Sequence, residues 1–123
     1  MLPPAVLVVE DDPVILRLLE VNFELEGFAV LLAHDGAEGI EMARAEKPDA
    51  IVSDIMMLRT SGLELLAAVR ADEATKAIPV ILLSARAQAS DLKLGLAAGA
   101  DAYITKPFEP LDLIDRVNAL LAR

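Results

Sequence analysis

The sequence predicts an α/β fold of three layers, with a five-stranded parallel sheet held between helices. Three observations point to it. Five short β-rich runs alternate with longer amphipathic stretches, the pattern of repeated strand–helix–strand units. Right-handed crossovers between such units give an open sheet with helices on both faces. At 123 residues, with no linker, repeat or low-complexity segment, the chain fits one domain over residues 1–123.

The elements follow in order. Ala5 to Val9 reads as the first strand. Val14, Leu18, Val21 and Leu25 then recur at helical spacing as the apolar stripe of a helix, with Asp12 as its N-cap, Pro13 in its first turn and Gly27 as its stop. Phe28 to Ala33 is the second strand and Gly36 to Glu46 the second helix. Ala50 to Ser53, Leu63 to Arg70 and Pro79 to Leu83 continue the alternation as strand, helix and strand. Ser90 to Ala98 forms a helix ended by Gly99, and Asp101 to Ile104 the fifth strand. The last helix starts near Pro110, with Leu113, Ile114, Val117, Leu120 and Leu121 as its apolar stripe. The small common form of this architecture is flavodoxin-like, with strand order 2-1-3-4-5, and its chemistry sits beyond the carboxyl ends of strands one and three, where the order reverses.

Composition narrows the function. Hydrophobic residues make up 55% of the chain, but the apolar runs are far shorter than the roughly 18 residues of a membrane span. The start of the chain has no basic, apolar and small-residue succession of a signal peptide, so a cytoplasmic protein is expected. The absence of cysteine rules out disulfides and thiolate metal sites. A net charge of -9, from eleven basic and twenty acidic residues, argues against direct nucleic-acid binding, which needs a basic patch.

Concentrated acid is the sharper clue. Glu10, Asp11 and Asp12 follow the first strand and Asp54 follows the third, so the fold gathers carboxylates at one edge. Like charges that close need a cation, and oxygen ligands without His or Cys suit a hard ion such as Mg²⁺. Lys106, just after strand five, brings a positive charge to the same edge, and Ser84, after strand four, a hydroxyl. A carboxylate nucleophile, a divalent ion and a lysine meet the needs of phosphoryl transfer: placement and charge neutralisation. The plainer readings are a solvated acidic turn for Glu10 and Asp11, a loop acid for Asp54, a surface lysine for Lys106, a strand-end hydroxyl for Ser84 and an edge aromatic for Tyr103. Asp12, before Pro13, is a cap rather than a ligand. His34, the single histidine, is a surface residue, and Met42, Met56 and Met57 fill core or loop.

Four segments, Val-Val-Glu-Asp-Asp-Pro, Ile-Val-Ser-Asp-Ile-Met-Met with Gly62 beyond, Leu-Leu-Ser-Ala-Arg, and Gly-Ala-Asp-Ala-Tyr-Ile-Thr-Lys-Pro-Phe, each close a strand in the right order. Together they resemble the receiver domain of two-component response regulators over essentially the whole chain. The resemblance implies that Asp54 accepts a phosphoryl group from a sensor histidine kinase or phosphotransfer protein. It implies Mg²⁺, with Mn²⁺ as a substitute, held by Asp11, Asp54, Glu10 and the backbone carbonyl of Met56. Lys106 would contact the phosphoryl group, Ser84 would move to hydrogen-bond it, and Tyr103 would swing into the space Ser84 leaves. Pro107, often cis in the family, would direct Lys106. The face of helix four, strand five and helix five would read the change out to a downstream effector. The chain is then a signalling phosphoacceptor rather than an enzyme, with no membrane partner.

Departures from the family pattern concern the surroundings of the site. Leu58 stands where receivers commonly carry proline. Ala102 and Leu92 replace an acid and a base of the common dimer face, whereas Asp112 and Arg116 keep its other half. A monomer is therefore expected before phosphorylation, with a phosphorylation-dependent homodimer as the alternative. Met56 and Arg86 flank the phosphoryl pocket. Competing readings are a phosphorylation-independent interaction module, an Asp-dependent phosphatase, which lacks its Asp-x-Asp spacing here, and a flavin binder, whose Gly-, Ser- and Thr-rich phosphate loop is replaced by acids.

Overall fold

A computed structural model of the chain describes residues 2–57, 60–85 and 89–123, without the side chains of 89–92, so Leu58, Arg86 and the Leu92 side chain lie outside the described residues. The order is β1 (Ala5–Val9), α1 (Pro13–Leu25), β2 (Ala29–Ala33), α2 (Gly36–Glu46), β3 (Ala50–Asp54), α3 (Gly62–Ala71), β4 (Val80–Ser84), α4 (Ala89–Ala97), β5 (Ala102–Thr105) and α5 (Pro110–Leu121). All four strand pairings are parallel, in the order β2-β1-β3-β4-β5. Fold class and strand order are those expected from sequence. Strands two to five end or begin one residue later than expected, which makes Asp54 and Ser84 the last residues of their strands.

Pleating sends alternate side chains to two separate cores. Val6, Val8, Val52, Ile81 and Leu83 face α1 and α5, where Leu16, Leu19, Phe23, Leu113, Ile114 and Val117 are buried. Leu7, Val9, Ile51, Val80 and Leu82 face Ala43 of α2 and Leu65, Leu66 and Val69 of α3. Because both faces are covered, the central strands are apolar except near their carboxyl ends, where Ser53, Asp54 and Ser84 stand. No helix among the described residues is long and apolar enough to cross a membrane.

Helix α1 corrects one sequence expectation. Asp12 does cap it, accepting hydrogen bonds from the Val14 and Ile15 amides at 2.9 and 3.5 Å, and Gly27 ends it at φ 89°, a conformation that suits a residue without Cβ. The row Val14, Leu18, Val21 and Leu25, however, faces outward, with Val14 76% and Leu25 78% exposed. The core takes Leu16, Leu19 and Phe23 instead, and Phe23 meets Phe28 edge to face at 5.1 Å. Two apolar rows share the 3.6-residue period, and the larger, aromatic-containing row fills the sheet-facing space. Phe23→Ala should therefore cost about 3–5 kcal/mol in urea denaturation, and Leu25→Ala less than about 0.5 kcal/mol; equal costs would reverse the assignment of faces.

The ends of α3 and β5 are also fixed by polar contacts. Ser61 and Glu64 form a capping box at the start of α3. At the opposite rim, Arg70 donates to the carbonyls of Lys76, Ile78 and Gly99 and pairs with Asp101 at 2.9 Å, joining α3 to the segments that enter β4 and β5. On α5, Leu113, Ile114 and Val117 are buried and Leu120 and Leu121 pack partly against them, as expected.

Candidate phosphoryl-transfer and metal site

The strand pleat decides which side chains meet at the carboxyl rim. Glu10 continues the row of Val6 and Val8, and Asp54 the row of Val52, so both lie toward the α1/α5 layer. Ser84 and Tyr103 continue the opposite row, beside Leu82. One carboxylate from each of Glu10, Asp11 and Asp54 has an oxygen within 4.8 Å of the others. Glu10 and Asp54 are buried at 1% and 6% exposure, whereas Asp11 is exposed. The Lys106 Nζ stands 2.8 Å from Glu10 Oε1 and 3.2 Å from Asp54 Oδ2. The Lys106–Pro107 peptide is cis.

This geometry fixes the electrostatics. Burial raises the Glu10 pKa to about 7, against the opposing hydrogen bond from Lys106 and with a further rise from the nearby Asp54 charge. Burial works against the Lys106 ammonium as well, but its hydrogen bond to Glu10 and the charges of Asp54 and Glu10 outweigh that and hold its pKa above the ordinary lysine value. A single lysine thus serves two buried acids. Among the described residues Glu10 Oε2 is buried with no hydrogen-bond partner. An orphaned carboxylate oxygen beside two further acids fits a hard divalent cation, with Asp11 giving the group its solvent-facing side.

A cation held by this cluster would be bound by the ionised form of Glu10. Mg²⁺ affinity should therefore rise as pH increases through about 7, because binding releases the Glu10 proton. The stability term has the opposite sign without metal. The folded pKa lies above the ordinary 4.5, so the contribution of Glu10 is fully present below that value and is lost as pH rises through about 7. Urea midpoints measured across this window should show that fall for the native chain, Mg²⁺ should offset it, and Glu10→Gln should remove it; an unchanged slope in Glu10→Gln would contradict this electrostatic picture.

The remaining sequence candidates surround this group. Met56 stands two residues past Asp54 with its side chain mostly exposed. Met56, Ser84 and Tyr103 line a cavity of about 200 Å³ together with Ile55, Ser61, Leu63 and Leu94. Ser84 is fully buried, and its carbonyl accepts from the Lys106 amide at 2.7 Å, tying β4 to the segment bearing the lysine. His34 is a surface residue beside Glu38 at 3.3 Å.

Two features escape a reading by residue chemistry. Gly62 packs so closely on β3 that an added Cβ would overlap the Asp54 carbonyl oxygen, which makes its lack of a side chain a condition for seating the acid. A groove of about 410 Å³ lined by Ile15, Leu18, Ala85, Lys106, Pro107 and Phe108 opens beside the lysine. The outward apolar row of α1 was the available signal for that groove.

Comparison with known proteins agrees with the geometry. Residues 6–118 match the response regulator receiver domain family. The chain is 47% identical over 118 residues to the transcriptional regulatory protein CseB of Streptomyces coelicolor, covering 96% of this chain and 49% of that protein. It spans about half the length of the curated relatives it matches. Among solved structures, the Francisella response regulator 1452 receiver domain superposes with a TM-score of 0.91 at 38% identity, covering 98% of both chains. The receiver domain of the Pseudomonas aeruginosa sensor histidine kinase PA1611, solved with magnesium coordinated in its active-site cleft, gives 0.91 at 29% identity, covering 98% of this chain and 99% of that one.

Proposed function

This chain belongs to the response regulator receiver domain family, and from that premise we propose that residues 1–123 form a single phosphorylation-controlled receiver in which Asp54 is the phosphoacceptor. The observation that supports this most is the meeting of Asp54, Glu10, Asp11 and Lys106 around one rim position. An Asp54 carboxylate oxygen forms the new P–O bond while the P–N bond to the donor's phosphohistidine breaks, and the imidazole departs neutral once it holds a proton. Lys106 stabilises the negative charge of the transferred oxygens, to which its paired position beside Asp54 suits it. Asp11, Asp54, Glu10 and the Met56 carbonyl would hold Mg²⁺ or Mn²⁺. When bound, that ion neutralises phosphoryl charge and orients the group.

Ser84 and Tyr103 serve as the switch pair in this reading, because both line the cavity beside the site. The phosphoryl group would draw the Ser84 hydroxyl toward it, and the aromatic ring would follow into the vacated space, shifting the population of α4, β5 and α5 arrangements seen by an effector. The donor is a histidine kinase or phosphotransfer protein. The outward row of Val14, Leu18, Val21 and Leu25 adjoins the Lys106 groove at Leu18, giving a donor protein an apolar landing surface next to the acceptor. We place the protein in the cytoplasm, monomeric before phosphorylation, with any DNA-directed output supplied by another domain.

Incubation with acetyl phosphate and Mg²⁺ tests the reading. One phosphoryl mass should be gained per chain, mapping to Asp54. No gain would favour a phosphorylation-independent interaction module. Leu18→Lys should slow transfer from a phosphorylated kinase domain while leaving the acetyl phosphate rate unchanged.

A further inference from the structure

Helix α4 contains a glycine in its interior, Gly95, within the sequence Leu94-Gly95-Leu96. Glycine weakens a helix at such a position relative to alanine, so an interior glycine calls for a compensating use. Gly95 is buried, whereas Lys93, Leu94, Leu96 and Ala97 around it are exposed. It is therefore the point where this turn of α4 meets the sheet.

What it meets is the Tyr103 ring. A Cβ built on Gly95 would stand 2.9 Å from Tyr103 Cδ2, 3.4 Å from Tyr103 Cε2 and 3.4 Å from Leu82 Cδ1. Leu82 is fully buried and pairs across β4 and β5 with Tyr103, so it cannot readily yield. The ring, on an edge strand and only partly buried, is the side chain that must give way. The same ring is also a wall of the 200 Å³ cavity that contains Ser84.

We propose that Gly95 is a positioning residue for Tyr103: the missing side chain forms a notch on α4 that seats the ring, and this seat sets how readily the ring exchanges with the cavity beside Ser84. The notch itself is independent of phosphorylation. Its regulatory consequence rests on the receiver reading above.

The chain offers a direct probe, since Tyr103 is its single tyrosine and it has no tryptophan. Tyrosine emission and its quenching by acrylamide therefore report on this ring alone. In Gly95→Ala without any phosphoryl mimic, the ring should lose its seat and quenching should rise above that of the native chain; identical quenching would overturn the proposal. A double-mutant cycle gives a second readout. In a Tyr103→Ala background Gly95→Ala should raise the urea midpoint, as alanine strengthens a helix, whereas with Tyr103 present that gain should be lost. Equal gains in both backgrounds would also overturn it. Adding Mg²⁺ and beryllofluoride separates the two claims. If Gly95→Ala alters resting quenching while the native chain shows no response to the mimic, the seat stands and the switch reading fails.

Discussion

Asp54→Asn should abolish phosphoryl uptake from acetyl phosphate, lowering the rate by at least about 10³-fold, to the floor of an intact-mass measurement. The substitution retains nearly the same shape in a pocket where Asp54 is 6% exposed, so the loss is one of chemistry rather than of fold. An amide has no anionic oxygen to attack phosphorus. It also withdraws one of the three clustered acids and one of the two partners of Lys106. Mg²⁺ binding should weaken in the same variant, because the remaining ligand set holds one fewer negative charge. Phosphorylation that persisted at native rates in Asp54→Asn would move the acceptor to another residue.

Lys106→Met separates catalysis from metal binding. Removing the ammonium that lies 2.8 Å from Glu10 and 3.2 Å from Asp54 should slow acetyl phosphate transfer by about 10²-fold. Mg²⁺ binding should survive and tighten at alkaline pH, since a competing cation has left the carboxylates. Stability should respond in a pH-dependent manner. Glu10, without its partner, is buried and has lost the contact that lowers its pKa, so its pKa moves higher still. Breaking such a pair costs roughly 3–5 kcal/mol when the acid must remain charged. The cost should therefore be large well above pH 7 in the absence of Mg²⁺ and small in mild acid, where Glu10 takes up a proton. A pH-independent loss in urea denaturation would contradict the pairing.

These two residues were legible in the sequence because each stands at the carboxyl end of a strand, and a parallel sheet delivers the ends of neighbouring strands to one edge. The apolar runs marked the strands for the same reason, both sheet faces being covered. The outer boundaries of strands and helices shifted by single residues, as with Ser84, because hydrogen-bond pairing to β5 and not side-chain polarity ends β4. Helix α1 was harder. Its sequence offers two apolar rows of the same period, and only the room beside Val8, Val52 and Phe28 decides in favour of Leu19 and Phe23. Gly62 and Gly95 were hidden for a different reason. The need for each arises from a close approach by another segment, the Asp54 backbone in one case and the Tyr103 ring in the other, which no local pattern records.

A crystal structure of the chain with Mg²⁺ and beryllofluoride would decide whether Asp54 is the phosphoacceptor and the acidic rim its metal site. The beryllium adduct is expected on an Asp54 oxygen, with the ion between Asp11, Asp54 and the Met56 carbonyl and the Lys106 ammonium turned to the fluorides. An unmodified Asp54, or an ion bound away from Glu10 and Asp11, would contradict that assignment.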